Sequence, residues 1–316
     1  MRDVFAGITA WMETKSVFAL ATLVATRDAF PAPIGTTMAV DADGRILGTI
    51  GAGCYESDIV EACLQTAADG ATRVMQIDLA SDDDLWIGNG CGGMLEVAVW
   101  RPGASFVQNA RRVSRGNESV QLRIPYQRGD GERVTFEFEI PARELLVLVG
   151  ATSLADEIAA LAHRLDFRVV VIDARPAFAT RERLPHADEI LRQWPQDALP
   201  ALLSDRTPIV LLSHNPKFDL PALRYALQSQ TRYVGLLGSR RAQTFYRNAL
   251  RDEGLDERVI ARIRGPVGLD LGGSTTAQTA LSIVAEIIAA QHNRHGGSLQ
   301  GIDGPIHVCA AEPNPI

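Results

Sequence analysis

Cysteine is scarce in this chain, and its few cysteines do not form a disulfide or zinc framework. The 316 residues contain 4 cysteines, Cys54, Cys63, Cys91 and Cys309, and no Cys-x-x-Cys spacing. Structural zinc sites and disulfide-rich secreted domains need closely spaced cysteines. The scarcity excludes both classes and favours reduced thiols, so we expect a cytoplasmic protein.

The chain also lacks a long hydrophobic run. Its most apolar stretch, residues 17–25, is shorter than the roughly 20 residues that a membrane helix needs and suits a buried strand. The preceding residues mix both charges and contain no clear small-residue cleavage pattern, which disfavours a secretory signal peptide. We therefore predict no membrane span.

Basic residues are in the minority. Lys plus Arg total 31 against 38 Asp plus Glu, a formal net charge of -7, which disfavours nucleic acid as a partner. P-loop, Gly-x-Ser-x-Gly and zinc spacings are absent, which excludes the commonest kinase and hydrolase chemistries. Hydrophobic residues make up 46% of the chain, enough for the cores of two domains of ordinary size.

The first part of the chain, residues 1–100, predicts a mixed α/β domain. Apolar positions three and four apart indicate helices at residues 3–12 and 55–70. Strands and a hairpin are predicted between and after them, at residues 17–25, 35–50, 72–79 and 94–99.

Residues 101–143 interrupt this pattern and are interpreted as a connector that contains a local hairpin, with strands at 120–126 and 134–140. From 144 to 295, short apolar runs alternate with helical patterns. That alternation predicts a Rossmann-like, doubly wound parallel sheet. Residues 296–316 are expected to form a poorly ordered tail.

Two glycine-rich turns of the first domain carry cysteines. Gly51 and Gly53 precede Cys54, which is expected at a helix N-terminus, where the helix dipole lowers a thiol pKa and attracts anions. Such a thiolate could contact a soft metal or carry sulfur. The alternative is that the cysteine is buried and the glycines only form a turn.

The second turn surrounds Cys91 with Gly92 and Gly93, which would let a ligand approach the backbone. The same alternative of a buried thiol applies to it. Cys63 differs, because it lies on the apolar face of the predicted helix and is expected in the core. Cys309 lies in the tail and carries no signal.

The second domain opens with a partial dinucleotide fingerprint. Gly150 ends the first strand and Ala155 can replace the third glycine, but Thr152 stands where the second glycine would meet a pyrophosphate. Asp173 ends the next strand and could hold a ribose hydroxyl. The pattern predicts a Rossmann fold and leaves NAD(P) binding open.

Two further groups follow strands of this domain. Gly238 and Ser239 precede Arg240 and Arg241, so Ser239 can cap a helix and the arginines can bind a phosphate; the alternative is a capped helix with solvated arginines. His214 also follows a strand, at the edge where doubly wound sheets bind ligands. A single histidine at such a place is more often a hydrogen-bonding residue than a metal ligand.

These motifs resemble those of the XdhC/CoxI family, the accessory proteins for maturation of xanthine dehydrogenase and carbon monoxide dehydrogenase. They occur in the family's order from about residue 15 to 292. At the Rossmann turn, where members often have Gly-x-Gly-His, this chain has Gly150-Ala151-Thr152-Ser153. The matching segments are residues 35–38, 51–56, 91–96, 213–223, 233–241 and 266–272.

The resemblance implies a chaperone that binds the molybdenum cofactor (molybdopterin), protects it, aids its sulfuration by a cysteine desulfurase and inserts it into a molybdenum hydroxylase. Cys54 and Cys91 would contact molybdenum or sulfur, and a homodimer is expected. The cofactor-binding residues predicted are Gly51, Gly53, Cys54, Glu56, Cys91, Gly92, Gly93, His214, Gly238, Ser239, Arg240 and Arg241.

Two alternatives stay open at this point. One is an NAD(P)-dependent oxidoreductase, and the other is a scaffold that recruits a desulfurase and a hydroxylase without holding the cofactor. No general acid–base pair is evident in the sequence, which favours a carrier over a catalyst.

Overall fold

The computed structural model describes residues 2–27, 32–51, 55–78, 94–127 and 131–301. It divides into two compact units between Ala142 and Arg143. The predicted tail lies outside the described residues from position 302 onward. Within the described ranges, every helix is too short or too polar to cross a membrane.

The first unit contains an antiparallel five-stranded sheet with the order β3-β2-β1-β5-β4. In its centre Leu20 pairs with Trp100 across β1 and β5. The predicted strands and hairpin are confirmed, and the hairpin's second strand is short. The strands are β1 (Phe18–Arg27), β2 (Thr37–Asp41), β3 (Ile46–Leu47), β4 (Arg73–Asp78) and β5 (Met94–Trp100).

Other elements cover both faces of this sheet. Alternate residues of β1 point to opposite sides, so they contribute to two different cores. Ala19, Ala21 and Leu23 pack against α2, while Phe18 and Leu20 belong to a core with α1, α3 and a β6–β7 hairpin. These elements are α1 (Arg2–Glu13), α2 (Glu56–Asp69), α3 (Ala104–Arg115), β6 (Val120–Gln127) and β7 (Arg133–Ile140).

Helix α3 is a correction to the sequence analysis, which assigned no helix within residues 101–143. Phe106, Ala110 and Val113 are buried at helical spacing, and Gly116 ends the helix in the left-handed conformation. The Arg111-Arg112 pair hid this narrow apolar stripe. The hairpin predicted in the same stretch is confirmed, with Val120 opposite Ile140.

The second unit is the predicted doubly wound sheet. Its six parallel strands have the order β10-β9-β8-β11-β12-β13. The chain therefore winds outward from β8 in both directions, and the order reverses between β8 and β11. The strands are β8 (Glu144–Val149), β9 (Phe167–Ile172), β10 (Glu189–Leu191), β11 (Ile209–Leu211), β12 (Val234–Leu236) and β13 (Ile263–Arg264).

Helices cover both faces of this sheet. Helices α4 and α9 share one apolar core with the sheet, and α6 and α7 share the other. Sequence periodicity missed β10, β13, α5 and α8, which are too short to show a period. The helices are α4 (Ser153–Arg164), α5 (Pro195–Ala198), α6 (Pro216–Gln228), α7 (Arg240–Asp252), α8 (Glu257–Ile260) and α9 (Thr276–Gln291).

Candidate functional site

A cavity of about 420 Å³ opens in the second unit beside the ends of β8, β11 and β12. It includes residues that follow β8 and β11, the two strands between which the strand order reverses, and doubly wound sheets bind ligands at such a point. Its volume falls within the roughly 300–1,000 Å³ of small-molecule sites. The lining residues are Thr152, Ser153, Leu154, Leu212, His214, Leu237, Gly238, Pro266, Ser274, Thr276 and Thr279.

Three helices begin at this cavity. Thr152 caps α4 and accepts a hydrogen bond from the Ala155 amide at 3.2 Å; Ser239 caps α7 and Thr275 caps α9 in the same way. Each cap satisfies one amide, and the first turn of a helix has further amides without intrahelical partners. Three helix dipoles therefore direct their positive ends toward one cavity, which suits an anionic ligand.

His214 lines the cavity in a backbone conformation that is uncommon for a side-chain-bearing residue. Its φ is 52°, in the left-handed region. The neighbouring Ser213 hydroxyl donates to Asp219 Oδ1 at 2.6 Å. The buried Asp219 also accepts from the Tyr246 hydroxyl at 2.8 Å. This network fixes the loop that presents His214.

Burial raises the pKa of the Asp219 carboxyl, because a charge there is poorly solvated. The hydrogen bonds from Ser213 and Tyr246 oppose this rise without cancelling it. The carboxyl therefore titrates above the ordinary range for aspartate.

Gly150 allows the turns after β8 and β11 to touch. Its φ is 111°, and a Cβ atom there would lie 2.7 Å from the backbone nitrogen of Ser213. A side chain would therefore push against the loop that carries His214. The glycine is required by close approach between two turns of the protein.

Asp173, the candidate ribose ligand, is already engaged. Its Oδ2 accepts from the Ala151 amide at 2.8 Å and from Arg175 Nη2 at 2.7 Å, and its Oδ1 accepts from Arg175 Nε at 2.9 Å. Burial opposes ionisation, but these bonds outweigh it and lower the pKa of the carboxyl. A ribose hydroxyl would have to compete with Arg175 for this carboxylate.

The structure brings two predicted residues, His214 and Gly238, to the cavity. Ser239 caps α7 as expected from the sequence, with its hydroxyl accepting from Ala242. Arg240 and Arg241 are exposed at the start of the same helix. They are not among the residues that line the cavity.

In the first unit, Gly51 and Glu56 are the predicted site residues that the structure describes. The Glu56 carboxylate accepts from the Gly51 amide at 3.4 Å and from the Thr49 hydroxyl. Helix α2 begins at Glu56 without a side-chain cap. Gly53, Cys54, Cys91, Gly92 and Gly93 lie outside the described residues.

Cys63 lies in the core, as predicted. It is fully buried on α2, and burial raises the pKa of its thiol to about 12. In the described ranges, no group of three His, Cys, Asp or Glu side chains could hold a metal ion. The predicted metal or sulfur contacts of Cys54 and Cys91 fall outside those ranges.

Sequence reasoning missed the hydroxyl groups that α9 brings to the cavity, those of Ser274, Thr276 and Thr279. The available signal was Gly272-Gly273 followed by hydroxyl residues at the start of a long helical pattern. Small and hydroxyl residues ahead of a helix are typical of an anion-binding turn.

Comparison with known families matches both units. Residues 146–287 match the XdhC Rossmann domain, and residues 11–78 match the XdhC and CoxI family. A crystal structure described as a xanthine dehydrogenase from Bacillus halodurans superposes with a TM-score of 0.74 at 22% identity. It covers 92% of this chain and 96% of that one, and this likeness concerns the fold.

Three curated relatives align with most of the chain. The uncharacterised Escherichia coli K12 protein YqeB is 27% identical over 93% of this chain, which spans only 47% of YqeB. A Bacillus subtilis 168 protein, named as one of the probable xanthine dehydrogenase subunits, is 24% identical, over 89% of this chain and 95% of its own length. The E. coli K12 molybdenum cofactor insertion chaperone PaoD is 26% identical, over 86% and 83%.

Proposed function

The chain belongs to the XdhC and CoxI family, and we propose that it is a molybdenum cofactor insertion chaperone for a molybdenum hydroxylase of the xanthine dehydrogenase type. The observation that carries this proposal is the similarity to PaoD along most of both chains. In this proposal the cofactor is the cargo. The protein delivers it to the hydroxylase without changing the pterin.

The cavity of the second unit supports this function, because its properties suit a phosphate-bearing small molecule. Three helix N-termini open onto it, and amides at such ends bind phosphate oxygens. His214, Gly238, Ser239, Arg240 and Arg241 would hold the anionic part of the cargo there. Arg240 and Arg241 would reach it from the first turn of α7.

Cys54 and Cys91 are proposed to contact the metal or its terminal sulfur, because thiolates are soft ligands. Gly51, Gly53, Gly92 and Gly93 would let the cargo approach the backbone. Glu56 would fix the backbone that precedes Cys54 through the Gly51 amide. The chain would in this way protect the cofactor while a cysteine desulfurase adds the terminal sulfur.

The proposal includes partners and an assembly state. The chain would meet a cysteine desulfurase and the target hydroxylase in turn, act as a homodimer, and do so in the cytoplasm. The occupied carboxylate of Asp173 disfavours the NAD(P) oxidoreductase alternative.

The test is the pterin content of the purified protein. The chain is produced in cells that make molybdopterin, and bound pterin is released by oxidation and measured by fluorescence. We expect pterin with the unmodified chain and much less with Cys54→Ala or Cys91→Ala. Cys63→Ala is the matched control, because this thiol lies in the core, and it should retain pterin.

Absence of pterin under conditions in which a known carrier retains it would overturn the proposal. If both cysteine variants lose pterin but still activate the hydroxylase and capture both partners, the scaffold alternative is correct instead.

A further inference from the structure

A second cavity, of about 350 Å³, lies entirely within the first unit. It is formed by the end of α1, the start of β1, the segment between β5 and α3, and α3 itself. Its lining contains three basic residues, Lys15, Arg101 and Arg111, and no acidic one. The other lining residues are Met12, Ser16, Val17, Phe18 and Pro102.

These three positive charges are not neutralised within the part of the chain that the structure describes. Among the described residues, no ion pair within 4.0 Å involves them. Arg101 Nη1 lies 4.0 Å from the position that a Cβ of Gly70 would take. The carboxylate of Asp69, the residue before Gly70, accepts from Arg73 and from the Ala71 amide. All three residues are exposed, so an anion can reach them from solvent, in a chain whose net charge is -7.

Lys15 adds an independent observation. It has a φ of 55° at the end of α1, where the Lys15 amide donates to Met12 O at 3.1 Å and the Ser16 amide to Trp11 O at 3.0 Å. Glycine is the usual residue at such a helix end, because a Cβ is unfavourable there. A lysine in the last turn of the helix would interact as favourably with the helix dipole without adopting a positive φ. Lys15 thus occupies a position that favours glycine, and it lines the cavity.

We propose that this cavity binds a phosphate monoester with an apolar or aromatic body. Cations from three separate parts of the chain can contact a dianionic phosphate, and guanidinium groups pair with its oxygens. Met12, Phe18 and Pro102 provide an apolar surface for the rest of the ligand. The site is additional to the cavity of the second unit and does not depend on the proposed function. The phosphate ester is either part of the cargo or a separate metabolite.

The test uses phenyl phosphate as the probe and the full chain in a low-salt buffer, with titration calorimetry as the readout. We expect saturable binding that weakens as salt is added, and weaker binding of inorganic phosphate, which lacks the apolar body. Lys15→Gly and Arg111→Gln should each raise the Kd about tenfold, since each removes a charge-assisted contact.

A stability measurement and a control variant distinguish a loss of binding from a loss of folding. Lys15→Gly should raise the thermal midpoint while it weakens binding, because glycine adopts the left-handed conformation without strain. Arg123→Gln is the charge-matched control, since Arg123 pairs with Glu137 on the β6–β7 hairpin. It should leave the Kd unchanged.

The proposal is wrong if phenyl phosphate does not bind, if Lys15→Gly and Arg111→Gln both bind it as the unmodified chain does, or if Arg123→Gln weakens binding as much as they do. If the cavity variants do weaken binding, the pterin content of purified Lys15→Gly distinguishes the two sources of the phosphate. A lower content assigns the phosphate to the cargo, and an unchanged content assigns it to a separate metabolite. The calorimetric result does not involve pterin, so it stands or fails independently of the chaperone function.

Discussion

The Tyr246 hydroxyl donates a hydrogen bond to Asp219 Oδ2 at 2.8 Å and thereby links α7 to the first turn of α6. The other oxygen of Asp219 accepts a hydrogen bond from the hydroxyl of Ser213, the neighbour of His214. The position of a cavity residue is thus determined by a buried contact between two helices.

Tyr246→Phe tests the stability of this link. The change removes one donor from a buried carboxylate, and we expect the free energy of unfolding to fall by about 1–3 kcal/mol, measured by urea denaturation. Tyr225→Phe, on α6, is the control, because no hydrogen bond of its hydroxyl is described; it should change stability by less than about 0.5 kcal/mol. Equal effects of the two changes would contradict the assigned role of Tyr246.

The raised pKa of Asp219 predicts a pH dependence with a defined sign. The folded state binds this proton more tightly than the unfolded state, so the carboxyl favours folding at low pH, and this contribution is lost as pH rises through the folded pKa. Relative to Asp219→Asn, the unmodified chain should lose stability as pH increases from about 4, the unfolded pKa. Denaturation of both proteins over a pH series measures this. A difference that is independent of pH, or that grows with pH, would refute the raised pKa.

Gly150→Ala should be far more harmful than an alanine at another glycine of the same unit. Both Gly150 and Gly254 have positive φ, but a Cβ at Gly150 meets the Ser213 backbone at 2.7 Å, whereas no atom lies within 4 Å of one at Gly254. We expect a loss of about 1 kcal/mol at Gly254 from conformation alone and at least about 2 kcal/mol more at Gly150. Thermal denaturation of both variants compares them, and similar losses would show that the close contact is not needed.

Cys63 should be unreactive in the folded protein. Its pKa of about 12 and its burial leave almost no accessible thiolate at about pH 8. Iodoacetamide should modify the peptide that contains Cys63 only after urea is added, as measured by mass spectrometry. Modification at the same rate with and without urea would show that α2 opens readily and that Cys63 is not a core residue.

Elements with a long, regular pattern could be predicted from the sequence. Helix α2 has apolar residues at helical spacing and a glycine, Gly70, that ends it in the left-handed conformation, so local chemistry alone indicates the helix and its C-terminal end. Helix α3 was missed because its stripe is narrow and its other face is strongly basic. Strands β10 and β13 are held by their neighbours in the sheet, which the local sequence does not encode.

The candidate site was predictable only in part. His214 and Gly238 follow strands, and the rule for parallel sheets places such residues at one edge. The engagement of Asp173 by Arg175 depends on side-chain geometry, and the approach of Ser274 and Thr276 depends on where α9 packs. Neither follows from spacing along the chain.

The reversal of strand order between β8 and β11 has a consequence for how this scaffold can diversify. Most residues that line the cavity belong to turns and to the first turns of helices, whereas strand interiors and helix faces build most of the two apolar cores; Leu154 and Leu212 belong to both. Exchange of the polar residues in these turns, with Leu154 and Leu212 kept, should therefore alter ligand preference without repacking either core. A chimera that carries the polar turn residues of another family member should fold normally and bind that member's ligand.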